Sequence, residues 1–122
     1  AMLTLETSYP PSVNSYYDKW GEGSKVQVRV AKPGMNYRAE VYRIKLEHLN
    51  GDCPLKGRLS MEVELWMPDR RKRDIDNPLK CMLDALTYAG VWNDDEQVDC
   101  LLVHRKGVEA PGRAKITLRE IS

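Results

Sequence analysis

Two aspartates one residue apart, Asp74 and Asp76, are the side chains of this 122-residue chain whose type and spacing most directly suggest chemistry. They lie in Pro68-Asp-Arg-Arg-Lys-Arg-Asp-Ile-Asp-Asn-Pro-Leu-Lys80, which joins an alternating apolar run to a helical one. Two carboxylates held together repel, which raises a proton affinity or calls for a cation, and Mg²⁺ meets that demand with hard oxygen ligands at roughly 2.1 Å. In extended chain, residues two apart project to one side, so both carboxylates face a common space while Ile75 points into the core. A calcium loop is excluded: counted from Asp74, Leu79 stands where glycine is required and Ala85 where glutamate is required. By itself Asp-x-Asp is a common pair, and aspartate near a helix start is favoured by the helix dipole in any protein.

The residues around the pair add weight. Lys80 falls in the first turn of the expected helix, where a cation opposes the dipole by ~0.3–1 kcal/mol and therefore needs something anionic nearby. Asp84, four residues on, is one partner, in the poorer orientation for such a pair; the acidic cluster or a substrate phosphate is the other, and spacing does not choose between them. Arg70, Arg71, Lys72 and Arg73 concentrate positive charge beside the carboxylates. Such a run is either a solvated turn or a set of phosphate contacts giving salt-sensitive, sequence-independent affinity, with Arg73 the first choice for a contact. Beyond the helix, Trp92-Asn-Asp-Asp95-Glu offers a third carboxylate if the chain doubles back. A 12-residue helix is about 18 Å long, and five or six extended residues span about as much.

The elements that must position these residues read as follows. Met2–Thr7 is a first strand, stopped by Pro10-Pro11, since neither proline donates to a ladder. Lys19–Ser24 is a turn or loop, followed by the alternating valines of Val26–Val30 as a strand. Met35–Leu49 is a helix whose apolar side carries Tyr37, Val41, Ile44 and His48–Leu49, with Asn50-Gly51 as its stop. Leu59–Met67 alternates most cleanly and is a strand with one core face. Pro78–Ala89 is a second helix, with Asn77 as its cap, Leu79, Met82, Leu83 and Leu86 on one side, and Gly90 as a left-handed terminator with Val91 against Leu86. Val98–Arg105 and Ala114–Ile121 are closing strands. This order predicts a single α+β domain over residues 1–122, a mixed β-sheet covered by two helices.

Composition sets the outer limits. At 42% hydrophobic and 30% charged, with no low-complexity tract, the chain reads as globular rather than disordered. No apolar run approaches the ~18 residues of a membrane span, no secretory signal is evident, and Ala1 ahead of Met2 reads as a cloning remnant; a cytoplasmic protein is expected. Three widely spaced cysteines suit a reducing compartment and suggest neither a disulfide framework nor a zinc cluster. With 19 Lys and Arg against 18 Asp and Glu, overall charge gives no sign of a polyanionic partner, so any such sign must be local. A chain of this length without a Gly-rich phosphate loop leaves little room for an Asp-x-Asp sugar-nucleotide transferase.

Taken together, Pro10-Pro-Ser-Val-Asn-Ser-Tyr-Tyr17, Met67-Pro-Asp-Arg-Arg-Lys-Arg-Asp-Ile-Asp-Asn77, Lys80, Asp84-Ala-Leu86, Ala89-Gly90 and Trp92-Asn-Asp-Asp-Glu-Gln-Val98 resemble the RusA family of Holliday-junction resolvases. The blocks run over most of the chain in order and spacing, which is far more specific than the aspartate pair. The resemblance implies a RusA-like fold and a homodimeric, Mg²⁺-dependent endodeoxyribonuclease, with Mn²⁺ as a substitute ion. The implied partner is branched DNA, a four-way junction nicked symmetrically on two opposed strands in a bacterial or phage-infected cell, with no membrane involved. It also implies that Asp74, Asp76 and Asp95 are the catalytic and metal-binding carboxylates, with Lys80 the functional lysine. Asp94 is then a second carboxylate behind them, or the ligand itself if the turn is rotated by one residue; Arg70, Arg71, Lys72 and Arg73 are the expected DNA contacts. The rivals are a non-catalytic branched-DNA-binding module and a nuclease of the same fold acting on other branched DNA.

Overall fold

The computed structural model describes residues 2–20 and 27–121. Along the chain run β1 (Met2–Ser8), the short α1 (Val13–Tyr16), β2 (Tyr17–Trp20), β3 (Gln27–Val30) and α2 (Lys32–Ile44), then β4 (Leu59–Met67), α3 (Leu79–Ala89), β5 (Val98–Val108) and β6 (Arg113–Glu120). A four-stranded sheet has the order β1-β6-β4-β5, antiparallel except for the parallel β4–β5 pair, and β2 and β3 form a separate hairpin. The parallel pair is possible because α3 carries the chain back between β4 and β5. This is the expected α+β fold with a mixed sheet. Most of the expected loop over Lys19–Ser24, and Val26, lie outside the described residues; Lys19 itself is in β2.

Period-two burial fixes the sheet's inner face. Leu3, Leu5 and Thr7 alternate inward on β1, Met61, Val63 and Leu65 on β4, and Ala114, Ile116 and Leu118 on β6. One core cluster joins them to Tyr37 and Val41 of α2 and to Met82, Ala85, Leu86 and Ala89 of α3. Thr7 is buried on that face because its hydroxyl meets the Tyr37 hydroxyl at 2.9 Å.

Helix α2 starts three residues before the expected Met35. Ala31 is extended, and Pro33 stands in the first turn, where a missing N–H costs nothing. Its end also differs: Lys45–Leu49 is a π-helical turn, and the extra residue per turn brings Leu49, not His48, back to the core. At the end of α3, Gly90 adopts φ 78°, its N–H reaching Thr87 O at 3.1 Å while the Val91 N–H reaches Leu86 O at 3.1 Å. The glycine stop and the Val91–Leu86 contact are as expected.

Candidate functional site

Chain leaves the end of β4 at Met67 and turns at once. Asp69 Oδ1 accepts the Arg71 N–H at 3.0 Å and the Arg73 guanidinium at 2.6 Å, and these bonds, Arg73's first, lower the Asp69 carboxyl to about 2. Arg105 of β5 donates to the Arg73 carbonyl at 2.7 Å and ties the loop to the sheet edge. Arg73 is thus half-buried and engaged, whereas Arg70, Arg71 and Lys72 are exposed, Arg71 with its Nε 3.6 Å from Asp69 Oδ2.

Asp74 and Asp76 are both exposed, but not in extended chain. The segment closes into a turn: the Asn77 N–H reaches Asp74 O at 3.2 Å and the Leu79 N–H reaches Asp76 O at 3.0 Å. The expected strand-like shared face is therefore replaced by two carboxylates on one turn, and Ile75, expected inside, is 39% exposed. Asn77 does not cap α3 either, because the turn runs straight into the helix: Pro78 holds the cap position with no side-chain bond, and the Asn77 carbonyl accepts the Val13 N–H at 3.2 Å.

For Lys80 the structure decides between the two partners left open by spacing. Asp84 is taken: Arg38 of α2 donates to its Oδ2 from Nε at 2.9 Å and Nη2 at 2.8 Å, and the Tyr16 hydroxyl of α1 donates to the same oxygen. The Arg38 guanidinium also lies 4.6 Å from the Tyr88 ring centroid. Burial, then the bond to Asp84, pushes the Tyr16 hydroxyl well above its usual range, so it stays protonated as a donor. Lys80 is exposed and makes no ion pair among the described residues. Its charge acts instead on Asp95.

The 93–97 turn is built by a capping box. Asp94 Oδ1 accepts the Glu96 N–H at 3.2 Å, and Gln97 Oε1 accepts the Asn93 and Asp94 N–H groups at 2.8 and 2.9 Å. Gln97 Nε2 donates to Leu55 O at 2.9 Å and Gly57 O at 3.0 Å, while Arg58 binds Glu96 and Asp99, so the turn is bracketed by the segment before β4. Val91 and Trp92 are buried and the turn is anchored, and Asp95 lies within the field of Lys80 and Asp84 of α3. Asp94 is committed to capping; Asp95 is exposed, and burial of its carboxyl group, the Asp94 bond and the charges of Asp94 and Asp84 raise its proton affinity against the pull of Lys80.

Parallel pairing of Leu59 with Val98 puts this turn at the start of β4, whereas Asp74 and Asp76 follow its end. Lys80, Asp84, Asp94 and Asp95 share one electrostatic neighbourhood along α3. Among the described residues, no three His, Cys, Asp or Glu side chains are gathered to hold a metal ion. Tyr16 and Gln97 lie within motif blocks with no role of their own assigned, and Arg38 lies outside them; the Asp94-x-x-Gln97 spacing is a local capping signal, whereas the Tyr16 and Arg38 contacts to Asp84 join residues too distant in sequence for local spacing to signal.

The sequence profile of the family Endodeoxyribonuclease RusA matches residues 8–119. The chain belongs to the RusA family. Relatives called crossover junction endodeoxyribonuclease RusA include that of Enterobacteria phage HK97, 41% identical over 114 residues (93% of this chain, 90% of the relative). That of Escherichia coli K12 is 38% identical over 118 residues, 97% of this chain and 94% of the relative. The enzyme of Enterobacteria phage 82 is 37% identical over 113 residues, 93% and 90%. The resemblance read from the motif blocks, and the endonuclease class it implied, are borne out. Matching over residues 8–119, the RusA profile takes in both the Pro10–Tyr17 segment and the acidic turn. No described helix is long and apolar enough to cross a membrane.

Proposed function

We propose that this RusA-family chain is a Mg²⁺-dependent endonuclease that resolves four-way DNA junctions, acting as a homodimer in the cytoplasm and nicking two opposed strands symmetrically. The observation that supports the reading is the RusA family match over residues 8–119, which spans Asp74, Asp76 and Asp95, and beside it the Asp95 carboxyl lies near Asp94, Lys80 and Asp84. The donor set fits a hard divalent cation, since Asp74, Asp76 and Asp95 offer exposed oxygen ligands and no soft ones. Asp74, Asp76 and Asp95 would hold Mg²⁺, or Mn²⁺ in its place, with Asp94 fixing the turn behind them. Such an ion supplies an activated water and stabilises charge on the scissile phosphate.

The chain's own residues do the rest. Lys80, with Asp84 occupied by Arg38, is free to set its ammonium against the phosphate as charge develops. Arg70, Arg71 and Lys72 grip flanking phosphates, and Arg73, paired with Asp69, holds the loop that carries them. A two-fold dimer presents two copies of one site to the two equivalent strands of a junction.

Asp76→Asn is expected to lose Mg²⁺-dependent cleavage of a four-way junction by about 10²-fold or more while retaining junction binding. Cleavage at the wild-type rate removes Asp76 from the site. Comparing the junction with flaps, forks and linear duplex tests the substrate: equal rates on all four overturn junction selectivity.

A further inference from the structure

The Pro10–Ser15 segment has no role in the chemistry above, yet the fold sets it beside the loop that carries Asp74 and Asp76. The Val13 N–H bonds the Asn77 carbonyl at 3.2 Å, and the Cys81 thiol donates to the Pro11 carbonyl. Between the two segments lies a groove of about 420 Å³, with Tyr9, Pro11, Ser12, Ser15, Arg71 and Asn77 among its walls. That volume is in the small-ligand range of roughly 300–1,000 Å³ and far too narrow for a stacked duplex.

The walls have the chemistry of a nucleotide site. Tyr9 offers a flat ring and Pro11 an apolar one, and the Tyr9 hydroxyl donates to Met67 Sδ at 3.2 Å, so the Tyr9 ring is held. Ser12 Oγ and Ser15 Oγ, 3.3 Å apart, and the Asn77 side chain supply donors and acceptors for a base edge. The Arg71 side chain, 83% exposed and 3.6 Å from Asp69 Oδ2 through Nε, brings a cation whose Nη groups suit the attached phosphate. Behind two of the walls, a Cβ on Gly112 would meet Pro68 N and Tyr9 Cβ at 3.0 Å, so glycine lets the chain pack closely against Pro68 and Tyr9.

We infer that this groove takes one unstacked nucleotide of the DNA strand next to the scissile phosphate, an inference that rests on the nuclease reading above. Bases inside a duplex are hidden by stacking, and unstacking costs least where pairing is already interrupted, as at a branch point. The groove adjoins Asp76 through Asn77, so a nucleotide held there fixes the strand relative to the carboxylates.

The test is 2-aminopurine placed singly at each position within two nucleotides of the scissile phosphate of a four-way junction, bound by Asp76→Asn protein. At one position fluorescence is expected to rise by about threefold or more on binding, as unstacking relieves quenching. Ser15→Trp in the same background fills the groove and should abolish the rise; Ser12→Leu narrows it from the other wall and should do the same, so misfolding of one variant does not decide the outcome. No rise at any position overturns the inference, as does a rise that persists in both folded variants. Cleavage of the same junction by the wild-type chain is read in parallel. Cleavage without a rise sinks the groove alone, and a rise without cleavage keeps the groove and sinks the nuclease reading.

Discussion

Asp95 and Asp69 respond to pH with opposite signs, and the difference separates a proposed metal ligand from a structural carboxylate. For Asp95, burial and the neighbouring Asp94 raise the folded-state value above 3.8, so ionisation opposes folding. That cost is absent below the unfolded value and develops as pH rises through the folded one. Asp95→Asn should therefore melt higher than wild type at pH 7 and no differently at pH 3, and Mg²⁺ should raise the melting temperature of wild type only. A variant less stable at pH 7 contradicts this. Asp69 is the reverse case: Arg73 and the Arg71 amide lower it to about 2, so its stabilisation is present above 3.8 and is lost as pH falls through about 2. Urea titrations of Asp69→Asn against wild type should differ at pH 5 and converge near pH 2. The placing of Lys80 beside Asp84 was legible, because helical spacing sets it. That Arg38 and Tyr16 would claim Asp84 was not, since spacing on one helix says nothing about the donors its neighbours bring.

Those donors depend on how closely α1 and α2 approach. Gly34, in the first turn of α2, is the contact point: a Cβ there would lie 2.8 Å from the Tyr16 carbonyl oxygen and 2.7 Å from Val30 Cγ1. The carbonyl is backbone and cannot step aside, so Gly34→Ala should cost ~1–3 kcal/mol in urea unfolding and displace Tyr16 and Arg38 from Asp84. A loss under ~0.5 kcal/mol would mean that α2 shifts freely. Arg38→Ala should cost ~1–2 kcal/mol by stranding a partly exposed carboxylate, and Asp84→Asn in that background should recover part of it; purely additive losses would deny the coupling. At this scale β4 was legible residue by residue, because its alternation is local and one face is wholly core. The start of α2 was missed where Pro33 was not counted as a first-turn residue, and the turn at Asp74–Asn77 was missed because Asp-Ile-Asp-Asn has no periodicity to distinguish turn from extended chain.

Across the whole molecule, the mixed sheet was legible from the order of elements, but the neighbourhood of Asp95 was not: it depends on the parallel β4–β5 register and on the 50–58 segment, whose role shows only when Leu55, Gly57 and Arg58 are seen bracketing the acidic turn. Charge behaves in the same way. A net charge of +1 conceals a basic loop that leaves the end of β4 and an acidic turn that enters beside the start of that strand. DNA bound by the loop releases counterions in proportion to the phosphates contacted, with a slope of about −0.9 per contact in log affinity against log salt. Arg70, Arg71 and Lys72 are exposed, so converting all three to alanine should flatten that slope by about 2–3 and weaken junction and duplex alike. Arg73→Ala should act differently, because its guanidinium is held by Asp69 at 2.6 Å: the loop loosens, stability falls by ~0.5–1 kcal/mol, and the slope changes by about 1 at most. Junction affinities of wild type, the triple variant and Arg73→Ala from about 50 to 200 mM salt separate the two roles. An unchanged slope in the triple variant would show that the run is solvated and that phosphate contacts lie elsewhere on the protein.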